Sequence, residues 1–147
     1  MFFNSFKISR MSVMLTLAVM LTSSLNATTQ TVAGGNGQGS QLNQLTQPSN
    51  VAIDKVGNVY IADTENHRIV KWSTGAKEGV VVAGGQGDGS SLAHLVYPEG
   101  VTIDKTGSVY VADSDNNRIV TWDVGAMDVM LVGGGSGVGL EKHQLNY

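Results

Sequence analysis

Cysteine is absent from this 147-residue chain, and proline occurs only twice. Without cysteine no disulfide framework can form, so packing alone must hold the fold in any redox compartment. The 19 glycines are clustered without a Gly-X-Y period, which together with the scarcity of proline excludes a collagen-like helix. Charge is scarce as well: Asp, Glu, Lys and Arg make up 14% of the residues, against 41% hydrophobic ones. That balance is too apolar for a disordered acidic tail and describes an ordered, turn-rich domain in which sheet is favoured over helix. The length admits one ordinary domain at most.

Long apolar runs are missing, with one short exception near the start. Met11 to Leu21 is apolar apart from Ser12 and Thr16; it follows Lys7 and Arg10 and leads into the small and polar stretch Ser23 to Ala27. This order is that of a secretory signal peptide over residues 1–27, with the cut placed after Ala27 although Leu25 is larger than its position prefers. The run is roughly half of the ~20 residues a membrane-spanning helix needs, so an uncleaved anchor is the weaker alternative. After cleavage the expected form is secreted, with no membrane association. It keeps 7 Lys and Arg against 12 Asp and Glu, a net charge of −5. The remaining cations stand singly, so nucleic acid is not an expected partner.

What is present is repetition. Asn50 to Asp63, NVAIDKVGNVYIAD, recurs as GVTIDKTGSVYVAD at Gly100 to Asp113, an offset of 50 residues. The same offset links Pro48 with Pro98, Asn66 with Asn116, Arg68-Ile69-Val70 with Arg118-Ile119-Val120, and Trp72 with Trp122. From Pro48 to Ala83 against Pro98 to Gly133, 18 of 36 positions are identical without a gap, which marks duplication of one structural unit.

Each unit parses into four short strands: Val51 to Ile53, Asn58 to Ala62, Arg68 to Trp72 and Val80 to Ala83 in the first. A tight turn at Asp54-Lys55-Val56-Gly57 joins the first two strands, with Gly57 free to take a positive φ. The strands are apolar runs with little alternation, which predicts small sheets covered on both faces. Face-to-face stacking of four-stranded sheets in a radial β-propeller supplies that environment repeatedly. The domain is therefore read as residues 28–147, with units at about 48–83 and 98–133 and Gly-rich linkers at 34–47, 84–97 and 134–147. In the linkers, Leu42 and Leu45, and again Leu92 and Leu95, are expected to pin the connection to the blade edge.

These residues resemble the NHL-repeat family, whose pattern is a proline, a Val-Ala-Ile-Asp-like strand, a Gly turn, a Val-Tyr-Val-Ala-Asp strand and an Asn-x-Arg-Ile-Val strand. Pro48, Val51 to Asp54, Gly57, Val59 to Asp63 and Asn66 to Val70 match it, as do Pro98, Val101 to Asp104, Gly107, Val109 to Asp113 and Asn116 to Val120. A WD repeat fits less well because Trp122-Asp123 has Trp72-Ser73 as its counterpart, and the Tyr110 to Trp122 spacing is too long for a kelch repeat. The resemblance implies an all-β, NHL-type β-propeller with two complete four-stranded blades plus partial repeats, part of a six-bladed or similar ring. Thr31 to Ala33 matches the fourth strand, Val81 to Ala83, as an N-terminal strand closing a ring would. Tyr147 stands where Tyr97 precedes Pro98, so the expectation is an N-terminal piece of a longer protein.

Asp63 with Arg68, and Asp113 with Arg118, flank the loop between the second and third strands and are expected to clamp it by charge-assisted hydrogen bonds. Asn66 and Asn116 are expected to cap backbone groups inside the turn. These six are structural candidates; no catalytic, cofactor-binding or metal-binding residue and no cofactor is assigned. Asp113 to Asn117 opens like a calcium loop but has Arg118 and Val124 where an EF-hand needs glycine and glutamate. Gly84 to Ser90 lacks the Gly-Lys-Ser/Thr ending of a phosphate loop. His67, His94 and His143 align with Asn117, Gln144 and Ala93, so no histidine recurs at a blade position.

The function expected is a non-enzymatic binding scaffold for a protein or glycan partner. The alternative is the N-terminal part of an extracellular propeller enzyme, a metal-dependent lyase or hydrolase like the peptidyl-hydroxyglycine lyases of the resembled family. If the chain is complete, two blades would leave sheet faces open and homo-oligomeric closure is expected.

Overall fold

The computed structural model of the protein describes residues 29–123 and 129–145. The leader at 1–27, its cut after Ala27, residues 124–128 and the last two residues lie outside the described residues.

Two four-stranded antiparallel meanders make up the fold. The first blade is β1 (Pro48–Ile53), β2 (Val59–Asp63), β3 (Arg68–Trp72) and β4 (Val80–Gly84), paired in chain order. The second is β5 (Pro98–Ile103), β6 (Val109–Asp113), β7 (Arg118–Trp122) and β8 (Val129–Gly134). The only helical pieces among the described residues are two 3₁₀ turns, Thr64–Asn66 and Ser114–Asn116, so the protein is all-β and propeller-like.

The register repeats with the sequence. Ile53 lies opposite Val59 and Ile61 opposite Val70, and fifty residues on Ile103 faces Val109 and Val111 faces Val120. The first strand begins three residues earlier than its β-branched run, because Pro48 pairs with Asp63 across a bulge before Asn50. Proline is tolerated at the first residue of a strand, where its missing N–H interrupts no ladder. In the turn between β1 and β2, Gly57 donates its N–H to the Asp54 carbonyl and holds a φ of 89°.

The loop between β2 and β3 is a 3₁₀ turn closed by a residue in the left-handed region, His67 at φ 52° and Asn117 at φ 48° in the second blade. The two blades stack face to face. Tyr60, Ala62, Ile69 and Ala83 of the first meet Val101, Val109, Val111 and Val120 of the second, with Leu95 from the linker buried between them. A smaller cluster of Val59, Ile61, Val70 and Trp72 fills the first blade's other face, against Val32, Ala33 and Leu45. Covered on both sides, β2 is buried at every residue, whereas β6 alternates between buried and half-buried.

Candidate functional site

The six loop residues occupy equivalent places in both blades. Asp63 ends β2 and Arg68 begins β3 as its direct cross-strand partner, so the sheet register itself brings the two side chains together. Arg68 Nε donates to Asp63 Oδ2 at 2.7 Å, with Arg68 6% exposed and Asp63 fully buried. Arg118 and Asp113 repeat the contact at 2.7 Å.

The rest of the network reaches upstream, into the linker. Arg68 donates from Nη1 to the Ser40 carbonyl at 2.7 Å and from Nη2 to those of Gln41 and Gln44 at 3.0 and 3.2 Å. The other Asp63 oxygen, Oδ1, accepts the Thr46 N–H at 2.7 Å. Asn66 donates to Asp63 Oδ2 at 2.9 Å and to the Gly39 carbonyl at 3.0 Å. In the second blade Arg118 holds Ser90, Ser91 and His94, Asp113 accepts from Val96, and Asn116 donates to Gly89.

This differs from the expectation in two respects. The asparagine amide binds no backbone group inside its own turn, and the charged pair fastens the linker as well as its own loop. The carbonyls that receive the arginine have no side-chain signature, so charge pattern could not find them; the 50-residue recurrence of the linker beside the Asp-Asn-Arg triad was the available signal. Physically, the arrangement gives a buried ion pair the extra hydrogen bonds that offset its desolvation.

The linker leucines also divide. Leu95 is fully buried, but Leu42 and Leu92 are 40% and 41% exposed, so one leucine of each pair anchors the linker and the other faces solvent.

Polar contacts join the blades along the same edge. Thr64 Oγ1 donates to the Pro98 carbonyl at 2.9 Å, Ser49 Oγ to the Glu99 carbonyl at 3.0 Å, and the Val101 N–H to Asn50 Oδ1 at 3.2 Å. His67 Nδ1 accepts the Tyr97 N–H at 3.2 Å, and the two rings meet edge to face at 4.8 Å.

At the other end of the strands, Asp54 and Asp104 organise the turns. Desolvation pulls the Asp54 carboxyl upward, but the Asn58 side chain and N–H, the Val56 N–H and the Tyr60 hydroxyl together hold it below its ordinary 3.8. Asp104 is lowered first by the Thr106 hydroxyl, against a desolvation effect, with the Ser108, Thr106 and Gly107 N–H groups adding to it.

Among the described residues no group of three or more His, Cys, Asp or Glu side chains is placed to hold a metal ion. His67 is engaged at the blade junction, and His94 Nδ1 pairs with Ser91 Oγ at 2.5 Å.

Comparison with curated proteins gives no match to this chain. The family model of the NHL repeat matches residues 45–72 and 95–122. Those segments run from the anchoring leucine of each linker to the tryptophan that ends each third strand, and so contain both Asp-Asn-Arg triads but not the linker carbonyls that the arginines and asparagines bind. With the repeat matched at the same place in two blades of the same strand order, the chain carries two copies of the NHL repeat.

Proposed function

We propose that the protein is a secreted NHL-type propeller segment that binds a protein or glycan partner through the edge where the linkers and the β2–β3 loops meet, with no enzymatic role. The observation that carries this reading is how identity and exposure divide between the two blades. The residues that fasten the edge, Asp63, Asn66 and Arg68, recur unchanged as Asp113, Asn116 and Arg118. The exposed linker positions around them differ: Gln38 becomes Asp88, Gln41 becomes Ser91, and Gln47 becomes Tyr97. A fixed frame thus presents an interchangeable surface, the arrangement by which rigid scaffolds display binding loops. NHL propellers are often protein-binding, which agrees with it.

The test is retention of ligands from a glycan array and an extracellular-protein panel by the immobilised secreted chain. Glu65→Arg with Asp115→Arg, on the exposed loops, should weaken retention at least tenfold. Lys55→Glu with Lys105→Glu, on the opposite turns, should leave it unchanged. No retained ligand, or equal sensitivity to both pairs, would refute the proposal. Recovery from the medium of a chain beginning at Thr28 would support the secretory reading and its cut.

A further inference from the structure

His67 touches both ends of the linker that joins the two blades. At the start, the Gly85 N–H donates to its carbonyl at 3.0 Å, where Gly84 and Gly85 turn the chain at φ of 66° and 80° and Gly84 lies against Leu95. At the end, its Nδ1 accepts the Tyr97 N–H at 3.2 Å, immediately before Pro98 opens β5, and the two rings meet edge to face at 4.8 Å. The second blade repeats the backbone hold with a residue that does not titrate. There Gly135 donates to the Asn117 carbonyl at 2.9 Å, Gly134 and Gly135 hold φ of 74° and 76°, and Gly134 lies against Leu145.

The left-handed turn at the end of the linker is independent of His67. Gln47 holds a φ of 47° where Tyr97 holds 46°, so the backbone path belongs to both linkers. What the histidine fixes is the Tyr97 amide and ring, and Tyr97 is 43% exposed on the edge where Gln47 stands in the first linker. An imidazole nitrogen that accepts a backbone N–H carries no proton, so the neutral His67 ring holds its hydrogen on Nε2. A second proton can enter only at Nδ1. Two donors, Nδ1–H and the Tyr97 N–H, would then oppose each other, and the ring must turn away and give up both contacts. The charged and titratable groups on the elements that meet at His67 are Glu65 on its own turn, Asp63 and Arg68 bonded to each other, Asp88 and His94 on the linker, the Tyr97 phenol, Glu99 on β5, and Asp115, whose N–H binds the Val96 carbonyl. Of these it is His67 that receives the Tyr97 N–H.

We propose that His67 is a proton-operated latch on Tyr97: neutral, it fixes the end of the second linker in the binding edge, and protonated, it lets go, so that ligand retention by that edge weakens on acidification. Only the end of the linker is released. Its start is held by the His67 carbonyl, and its middle by the Arg118 guanidinium on the Ser90, Ser91 and His94 carbonyls, none of which loses a bond when the ring gains a proton. The effect on a ligand rests on the function proposed above; the latch itself does not.

The test is amide hydrogen exchange, read by NMR on the isotope-labelled full-length chain from about pH 8 to about pH 5, the interval in which an imidazole changes charge. Protection of the Tyr97 amide, taken relative to the intrinsic exchange rate at each pH, should fall about tenfold, the scale of one hydrogen bond, and follow the same midpoint as the His67 ring resonances. Protection of the Gly85 amide should stay level. His67→Asn, which installs the second blade's residue, should make the Tyr97 amide indifferent to pH, whereas His94→Gln should leave its response as in the wild type. Level Tyr97 protection across the range in the wild type, or an equal fall in His67→Asn, would overturn the proposal. A ligand held by the edge should be retained less at the acid end in the wild type and equally at both ends in His67→Asn; the same loss in both proteins would overturn the coupling to binding. A chain that retains no ligand at either end would refute the proposed function, and the Tyr97 amide would still decide the latch.

Discussion

Arg68 illustrates how a single side chain can join its own loop to a linker 24 to 28 residues upstream. Its guanidinium fork is occupied by one carboxylate and three linker carbonyls, a geometry that a lysine ammonium cannot reproduce. Asp63→Ala would leave that cation buried without its counter-charge and should cost about 3–5 kcal/mol, read as a fall in the chemical-denaturation midpoint. An unchanged midpoint would contradict the role given to the pair. Gly84 is constrained in another way: its φ of 66° is strained for any side chain, and an added Cβ would run into the His67 carbonyl oxygen. Gly84→Ala should therefore cost more than the ~1–2 kcal/mol of left-handed strain alone. The turn aspartates set an acid limit. Because the folded carboxyls of Asp54 and Asp104 lie below the ordinary 3.8, the unfolded chain binds more protons in the window between the two values. Their contribution is present in full above about pH 4 and is lost as pH falls through the lowered values. Denaturation midpoints measured across that window should depend less steeply on pH in the Asp54→Asn, Asp104→Asn double variant; an identical slope would sink this account.

At the scale of elements, the strands were legible because β-branched and aromatic residues fall between glycine turns at one repeated spacing. β3 and β7 lie where the Arg-Ile-Val-x-Trp runs place them. Less legible were the ends: Pro48 and Asp63 belong to strands rather than to the adjoining loops, because their pairing depends on a bulge no composition reveals. The residues of the candidate site could be picked out from charge and spacing, but their partners could not, since backbone carbonyls look alike in any sequence. The linker shows the same limit. Its two leucines read alike, and only packing tells the anchor from the exposed one. Leu95→Ala should cost about 2–5 kcal/mol as a buried truncation, whereas Leu92→Ala should stay within about 0.5 kcal/mol. Similar losses at both positions would mean that the linker is held otherwise than through Leu95.

For the whole molecule, the question is whether two blades unfold as one. The larger core draws residues from both, so neither blade keeps its packing when the other is lost. In a linear stack, such an interface couples units that would be marginal alone. Trp72 and Trp122 give each blade its own reporter. In Trp122→Phe and Trp72→Phe variants, fluorescence should follow one transition that coincides with circular dichroism. Two separated transitions would show that the junction couples the blades too weakly for cooperative unfolding.

The glycine corner after each fourth strand has an evolutionary consequence. Gly34, Gly84 and Gly134 share one backbone turn, and each is seated on a leucine that follows at the same interval. A recombination breakpoint placed there leaves every unit with the same entry and exit, so unequal crossing-over can add or delete a 50-residue cassette while keeping the glycine corner and its leucine seat intact. Blade number in such a lineage can change by gene-level copying with the backbone path from blade to blade unaltered.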